Sequence, residues 1–117
     1  YTWQLVREMT HGRALFTQPP MPIKCAGAPQ KALYLSADAW LRKGVLNHMD
    51  IQFMNAGGVL FGVKDYVPAL MEYIEKYDAT LNFFHNLIAV DGPARKAIFK
   101  VSAPDANPEG HTAPQEL

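Results

Sequence analysis

Pro22-Ile23-Lys24-Cys25-Ala26-Gly27-Ala28-Pro29-Gln30-Lys31 decides how the rest of the chain is organised. It joins an apolar extended segment, marked by Phe16 and Ile23, to an amphipathic run that opens near Ala28. Beyond it Leu33, Ala37, Trp40 and Leu41 recur at i, i+4, i+7 and i+8, the spacing of one helix face. Pro29 suits the first turn of such a helix, where a missing N–H costs little. Gly44, after Arg42 and Lys43, suits its end. A strand that feeds a helix through a glycine-containing turn is where α/β folds place phosphates, cofactors and nucleophiles. Here the turn carries the only cysteine of the 117-residue chain.

The segments on either side extend the pattern. Thr2–Met9 is expected to form a short helix with Trp3 and Val6 inward, and Leu5 and Met9 beside them. Arg13–Thr17 is a strand, and Pro19, Pro20 and Pro22 keep the following backbone extended through Ile23-Lys24-Cys25. Asp50–Asn55 is a second strand, followed by a loop with Gly57, Gly58 and Gly62. A second helix opens near Asp65 as N-cap, with Val67, Leu70, Met71, Ile74 and Tyr77 on one face and Pro68 in its first turn. Thr80–Phe84 is a third strand. Leu87–Val90 and Ala97–Val101 flank Asp91-Gly92-Pro93-Ala94-Arg95-Lys96 as a β-hairpin. The alternation of strands and helices predicts an α/β, Rossmann-like three-layer domain with a parallel sheet and an added hairpin or meander. Residues 1–103 form that domain, and 104–117, rich in proline and polar residues, are expected to be a disordered tail.

Composition excludes several function classes. Eleven basic and eleven acidic side chains balance, so nothing points to nucleic acid or an anionic surface. No apolar run approaches the roughly 20 residues that span a bilayer, and the chain itself is expected to be soluble. A single cysteine rules out an internal disulfide and a cysteine-based zinc site. His11, His48, His85 and His111 have no metal-ligand spacing, so no metal is expected. The chain begins at Tyr1 rather than Met and is expected to be one domain cut from a larger protein.

A lone cysteine is most often a small buried hydrophobe. Three local features argue for a reactive Cys25: the strand-to-helix turn, the free N–H groups of the helix beginning near Pro29, and the cations of Lys24 and Lys31. Helix N-termini and neighbouring cations favour the thiolate, and the same site suits bound hydrosulfide or a persulfide anion. Lys31 is otherwise an ordinary solvated lysine. Lys24, Ala26, Gly27, Ala28, Pro29 and Gln30 occupy the slot of a G-x-G-x-x-G dinucleotide turn, yet only one of its three glycines is present. The acidic residue that would take a ribose at the end of the second strand is replaced by Asn55. A dinucleotide domain that has lost its pyridine nucleotide fits these residues better than a working one.

Phe16-Thr17 and the run from Pro22 to Lys31 resemble the segment around a redox-active cysteine in sulfide:quinone oxidoreductases, particularly the mitochondrial branch. Tyr34-Leu35-Ser36, Phe61-Gly62-Val63-Lys64 and Asn86-Leu87-Ile88 are similar to that family as well, so the resemblance covers residues 1–101. It implies the second, NAD-like domain of an FAD-dependent enzyme that oxidises sulfide to sulfane sulfur and passes electrons to quinone. In that setting Cys25 is one of two sulfur-handling cysteines and Lys31 steadies its anionic states. FAD is then bound mainly by a domain absent here, and peripheral contact with a cytoplasmic or inner membrane runs through segments absent here. An isolated domain of this kind is expected to be inactive, and its exposed apolar surface would suit a homodimer. Two alternatives remain at this point. One is a related flavoprotein, either a flavocytochrome-type sulfide dehydrogenase or a type II NADH:quinone reductase. The other is a stand-alone sulfur-carrier or interaction domain.

Overall fold

The computed structural model describes residues 1–102 in full and 111–116 through their backbone. The chain runs α1 (Thr2–Glu8), β1 (Gly12–Gln18), α2 (Ala28–Lys43), β2 (Met49–Asn55), α3 (Val67–Lys76), β3 (Thr80–Asn82), β4 (His85–Asp91), β5 (Lys96–Val101) and β6 (His111–Glu116). β1, β2 and β3 form a parallel sheet in that order, with Phe16 opposite Phe53 and Phe53 opposite Leu81. β4, β5 and β6 form an antiparallel meander.

Alternation along β2 builds the layers, because successive side chains leave opposite faces of a strand. Ile51 and Phe53 pack with Leu33, Ala37 and Trp40 of α2 and with Ile74 and Tyr77 at the end of α3. Met54, one residue on, packs with Ala97 and Phe99 of β5 and with Leu15 and Leu87. Helices therefore cover one face of the parallel sheet and the meander covers the other. This is the α/β, three-layer arrangement with an added meander that the pattern predicts.

α2 spans the expected residues, with Pro29 in its first turn and Gly44 as its C-cap at φ +80°, a left-handed conformation that suits glycine. The Gly44 N–H reaches the Leu41 carbonyl. Leu33, Ala37 and Trp40 are buried as predicted, but Leu41 is half exposed. At 100° per residue it lies about 80° round from Leu33, on the flank of the stripe. α1 packs through Val6 and Met9, while Trp3 and Leu5 face outward. It is tied to α2 by Trp40 Nε1–H donating to the Val6 carbonyl and by Lys43 Nζ donating to that of Arg7.

Three local expectations are corrected. β1 stops at Gln18 rather than running on towards Cys25, because Pro19, Pro20 and Pro22 have no N–H to give a ladder. α3 is capped by Tyr66, and Asp65 lies in a single 3-10 turn before it. In the C-terminal region, expected to carry no regular structure, His111–Glu116 pairs with Val101–Lys96 as β6. That ladder satisfies the second edge of β5, and Pro114 is accommodated on an outer strand. The rest of the expected tail, 104–110 and 117, lies outside the described residues.

Candidate functional site

The site lies at the carboxyl edge of the parallel sheet, where β1 and β2 hand over to their helices. Proline-rich backbone leads from Gln18 to Cys25, and the Met21–Pro22 bond is cis. Cys25 has φ +59° and an exposed side chain. The left-handed conformation at a non-glycine residue is uncommon and costs about 1–2 kcal/mol. It turns the chain sharply, so that the Cys25 carbonyl accepts from Ala28 N–H at 3.0 Å and the next carbonyl to close a helical turn is that of Gly27, from Lys31 N–H. The thiol therefore sits on an outward corner directly ahead of α2.

The sequence-predicted site residues divide into two groups. Lys24, Cys25, Ala28 and Lys31 are exposed around the corner, and Ala26, Gly27 and Pro29 are half-buried beneath it. Gln30 is turned into the fold and buried. Its Nε2 donates to the Leu60 carbonyl at 2.7 Å, and its Oε1 accepts from Tyr34 O–H at 3.1 Å. The same Tyr34 hydroxyl also reaches the Leu70 carbonyl. Burial pushes the Tyr34 phenol up to about 12.

The loop after β2 is what Gln30 holds. Asn55, fully buried, opens that loop by accepting from Gly57 N–H at 2.8 Å and donating to the Val59 carbonyl at 3.0 Å. Ala56 N–H donates back to the Gln18 carbonyl, joining the ends of β1 and β2. Leu60 then enters the core. Phe61 comes against the turn, its ring 3.9 Å from where a Cβ on Gly27 would stand. A dinucleotide pyrophosphate needs open backbone at that place. Here the space carries an aromatic ring and the nearest amide side chain is committed to the loop. The turn carries one of the three glycines of a dinucleotide fingerprint, so it lacks the second glycine at which a pyrophosphate makes its close backbone approach.

Beyond Phe61 a groove of about 450 Å³ runs between the first turns of α2 and α3. Two contacting ring pairs line it: Tyr34 with Tyr73, ring centroids 5.5 Å apart, and Phe61 with Tyr66 at 6.4 Å. Among the described residues no three His, Cys, Asp or Glu side chains converge as a metal site would require, and no helix is long and apolar enough to cross a membrane.

Sequence reasoning missed the parts played by Leu60, Phe61 and Tyr34. Asn55-x-Gly57 carried a usable signal, since an Asn side chain commonly caps the N–H two residues on. Nothing local announces that Gln30 reaches a carbonyl 30 residues away.

No protein-family model matches the chain. It is 41% identical over 116 residues to "Sulfide:quinone oxidoreductase, mitochondrial" of Mus musculus, covering 99% of this chain and 25% of that protein. It is 38% identical to the protein of the same name from Schizosaccharomyces pombe, over 86% of this chain and 22% of the other. The Dictyostelium discoideum protein of that name is 33% identical over 85% of this chain and 22% of its own length. Among solved structures, the sulfide:quinone oxidoreductase of Aquifex aeolicus matches with a TM-score of 0.68 at 15% identity, over 98% of this chain and 26% of that one. A chain in the Tetrahymena thermophila mitochondrial ATP synthase matches with a TM-score of 0.77 at 17% identity, over 97% and 27%. These two likenesses show the fold alone. By sequence the chain is similar to sulfide:quinone oxidoreductases, and it spans about a quarter of the length of the curated relatives it matches.

Proposed function

We propose that this chain is the second, NAD-like domain of a flavin-dependent sulfide:quinone oxidoreductase, and that Cys25 is one of its two sulfur-handling thiols. The observation that carries this is the exposed Cys25 on a left-handed corner immediately before α2. A structural cysteine would be buried; this one is presented to solvent in a conformation the chain adopts at a cost. Lys31 stands one turn into α2, exposed and with no ion-pair partner among the described residues. It is proposed to hold anionic sulfur beside Cys25, together with Lys24 and the backbone from Ala26 to Pro29.

Hydrosulfide attacking a disulfide between Cys25 and a second cysteine forms one S–S bond and breaks another. One sulfur is left as a persulfide and the other as a thiolate. The second cysteine is supplied from outside this chain. A bound FAD would supply the acceptor for the electron pair on its way to quinone. Its pyrophosphate is proposed to be held mainly outside this chain, since the Gly27 turn carries one of the three glycines of a dinucleotide fingerprint. The mitochondrial names of the relatives favour a mitochondrial place for the whole protein. The missing glycines of the turn and Asn55 at the end of β2 disfavour the NADH:quinone reductase alternative.

The test is stopped-flow reduction of the flavin by sulfide in the full-length, flavin-loaded protein that contains this chain. Cys25→Ala is expected to abolish rapid reduction. An unchanged rate would remove Cys25 from the chemistry.

A further inference from the structure

We propose that the groove between α2 and α3 is a binding site for an amphipathic organic anion, with a flat apolar body along the aromatic walls and an acidic group on Lys31. This goes beyond the thiol chemistry and does not rest on it, although the two sites share Lys31, whose ammonium would then serve one anion at a time.

The shape and lining specify the ligand class. A volume of about 450 Å³ falls in the range that holds a small organic molecule. The walls are Phe61, Tyr66, Tyr73 and Leu35, and three of them are substantially open to solvent: Leu35 at 65%, Tyr66 at 61% and Tyr73 at 45%. Exposed aromatic rings along one trough suit a planar apolar body laid against their outer faces. The polar groups along the floor are already spent. Tyr34 O–H is shared between Gln30 Oε1 and the Leu70 carbonyl, and Gln30 Nε2 is committed to Leu60. A ligand body with its own hydrogen-bonding groups would lose their hydration there without recompense.

Charge then sets the other end of the ligand. Lys31 is the one charged residue among those lining the groove, and no carboxylate answers it among the described residues. The neighbouring cation at Lys76 is already engaged over the Tyr73 and Tyr77 rings, at 5.7 and 5.2 Å from their centroids. Asp38, the acidic residue nearest along α2, is paired with Arg42 and accepts from Tyr77. An unanswered ammonium at the mouth of an apolar trough selects an anion over a neutral or cationic molecule of the same shape.

The probe pair is 8-anilinonaphthalene-1-sulfonate and its uncharged counterpart N-phenyl-1-naphthylamine, titrated into the 117-residue chain by fluorescence. The sulfonate is expected to bind saturably at one site and about fivefold more tightly than the neutral dye, as a rim ion pair allows. Lys31→Met is expected to remove that preference and leave the neutral dye unaffected. Leu35→Glu, on an exposed helical position, is expected to abolish saturable binding of both while far-UV circular dichroism stays unchanged. Amide shifts on binding are expected at Gly27, Leu35, Ala69 and Tyr73. Equal affinity for the two dyes, no effect of Lys31→Met, or shifts centred elsewhere would overturn the proposal. So would binding that weakens as protein concentration rises with dimer formation in ultracentrifugation, which would assign the groove to a second copy.

Discussion

Gln30 and Leu60 lie 30 residues apart and are joined by one buried hydrogen bond, 2.7 Å from side-chain amide to backbone carbonyl. That bond fastens the loop after β2 onto the first turn of α2 and brings Phe61 over Gly27. It ties the two loops at the carboxyl edge of the sheet together, with Cys25 left exposed beside them.

Gln30→Leu keeps similar bulk but leaves the Leu60 carbonyl without its donor and the Tyr34 hydroxyl without one of its acceptors. A stranded buried group costs about 1–3 kcal/mol. Urea unfolding should show a loss of that size, and hydrogen exchange should quicken at 57–61. A midpoint equal to the unmodified chain would mean that the loop is held by Leu60 packing alone.

Gly58 lies under the ring of Phe84. A Cβ built on Gly58 meets Phe84 ring atoms at 2.7 and 2.9 Å, too close to coexist. The two segments are also pinned by Phe84 N–H donating to the Gly57 carbonyl at 3.1 Å. Gly58→Ala should therefore cost about 1–3 kcal/mol through overpacking. Adding Phe84→Leu should recover part of that loss in a double-mutant cycle, whereas simple additivity would show that the ring is not what Gly58 accommodates.

Tyr34 makes the fold sensitive to alkali. Burial raises its folded pKa from 10.0 to about 12, so the folded state holds the phenolic proton more firmly than the unfolded chain does. The associated stability is complete below pH 10 and is lost as the pH rises from 10 through about 12. Absorbance titration should show one of the five tyrosines ionising late. Tyr34→Phe should flatten the stability profile above pH 10, and an identical alkaline profile in the variant would assign the effect elsewhere.

Cys25 should be removable without harm to the fold. Cys25→Gly relieves a left-handed conformation and should stabilise by up to about 1 kcal/mol, while Cys25→Val, β-branched at positive φ, should destabilise by a similar or greater amount. Native-state alkylation of the unmodified chain by iodoacetamide should go to completion without denaturant. A thiol that reacted only after unfolding would contradict its exposure.

Periodicity alone located α2 and its Leu33, Ala37 and Trp40 face, because a helix repeats its buried positions every turn and Gly44 marks where a left-handed residue must end it. It also located the core stripe of α3, the three parallel strands and the β4–β5 hairpin. The cysteine corner was legible as a composition of Pro, Gly and Cys at a change of period. Its resemblance to sulfide:quinone oxidoreductases rested on side-chain identity in one short run.

The tertiary structure decided the rest. Whether Gln30 faces a ligand or a backbone carbonyl depends on where Leu60 arrives, and that follows from its place in the core cluster with residues of α2, β2 and α3 rather than from any neighbour in sequence. The approach of Phe61 to the Gly27 turn and the open trough beyond it are likewise set by contacts between distant segments. Local pattern specifies periods and caps, which are short-range. The occupant of a turn is set by long-range packing, to which the spacing of residues within one segment is blind.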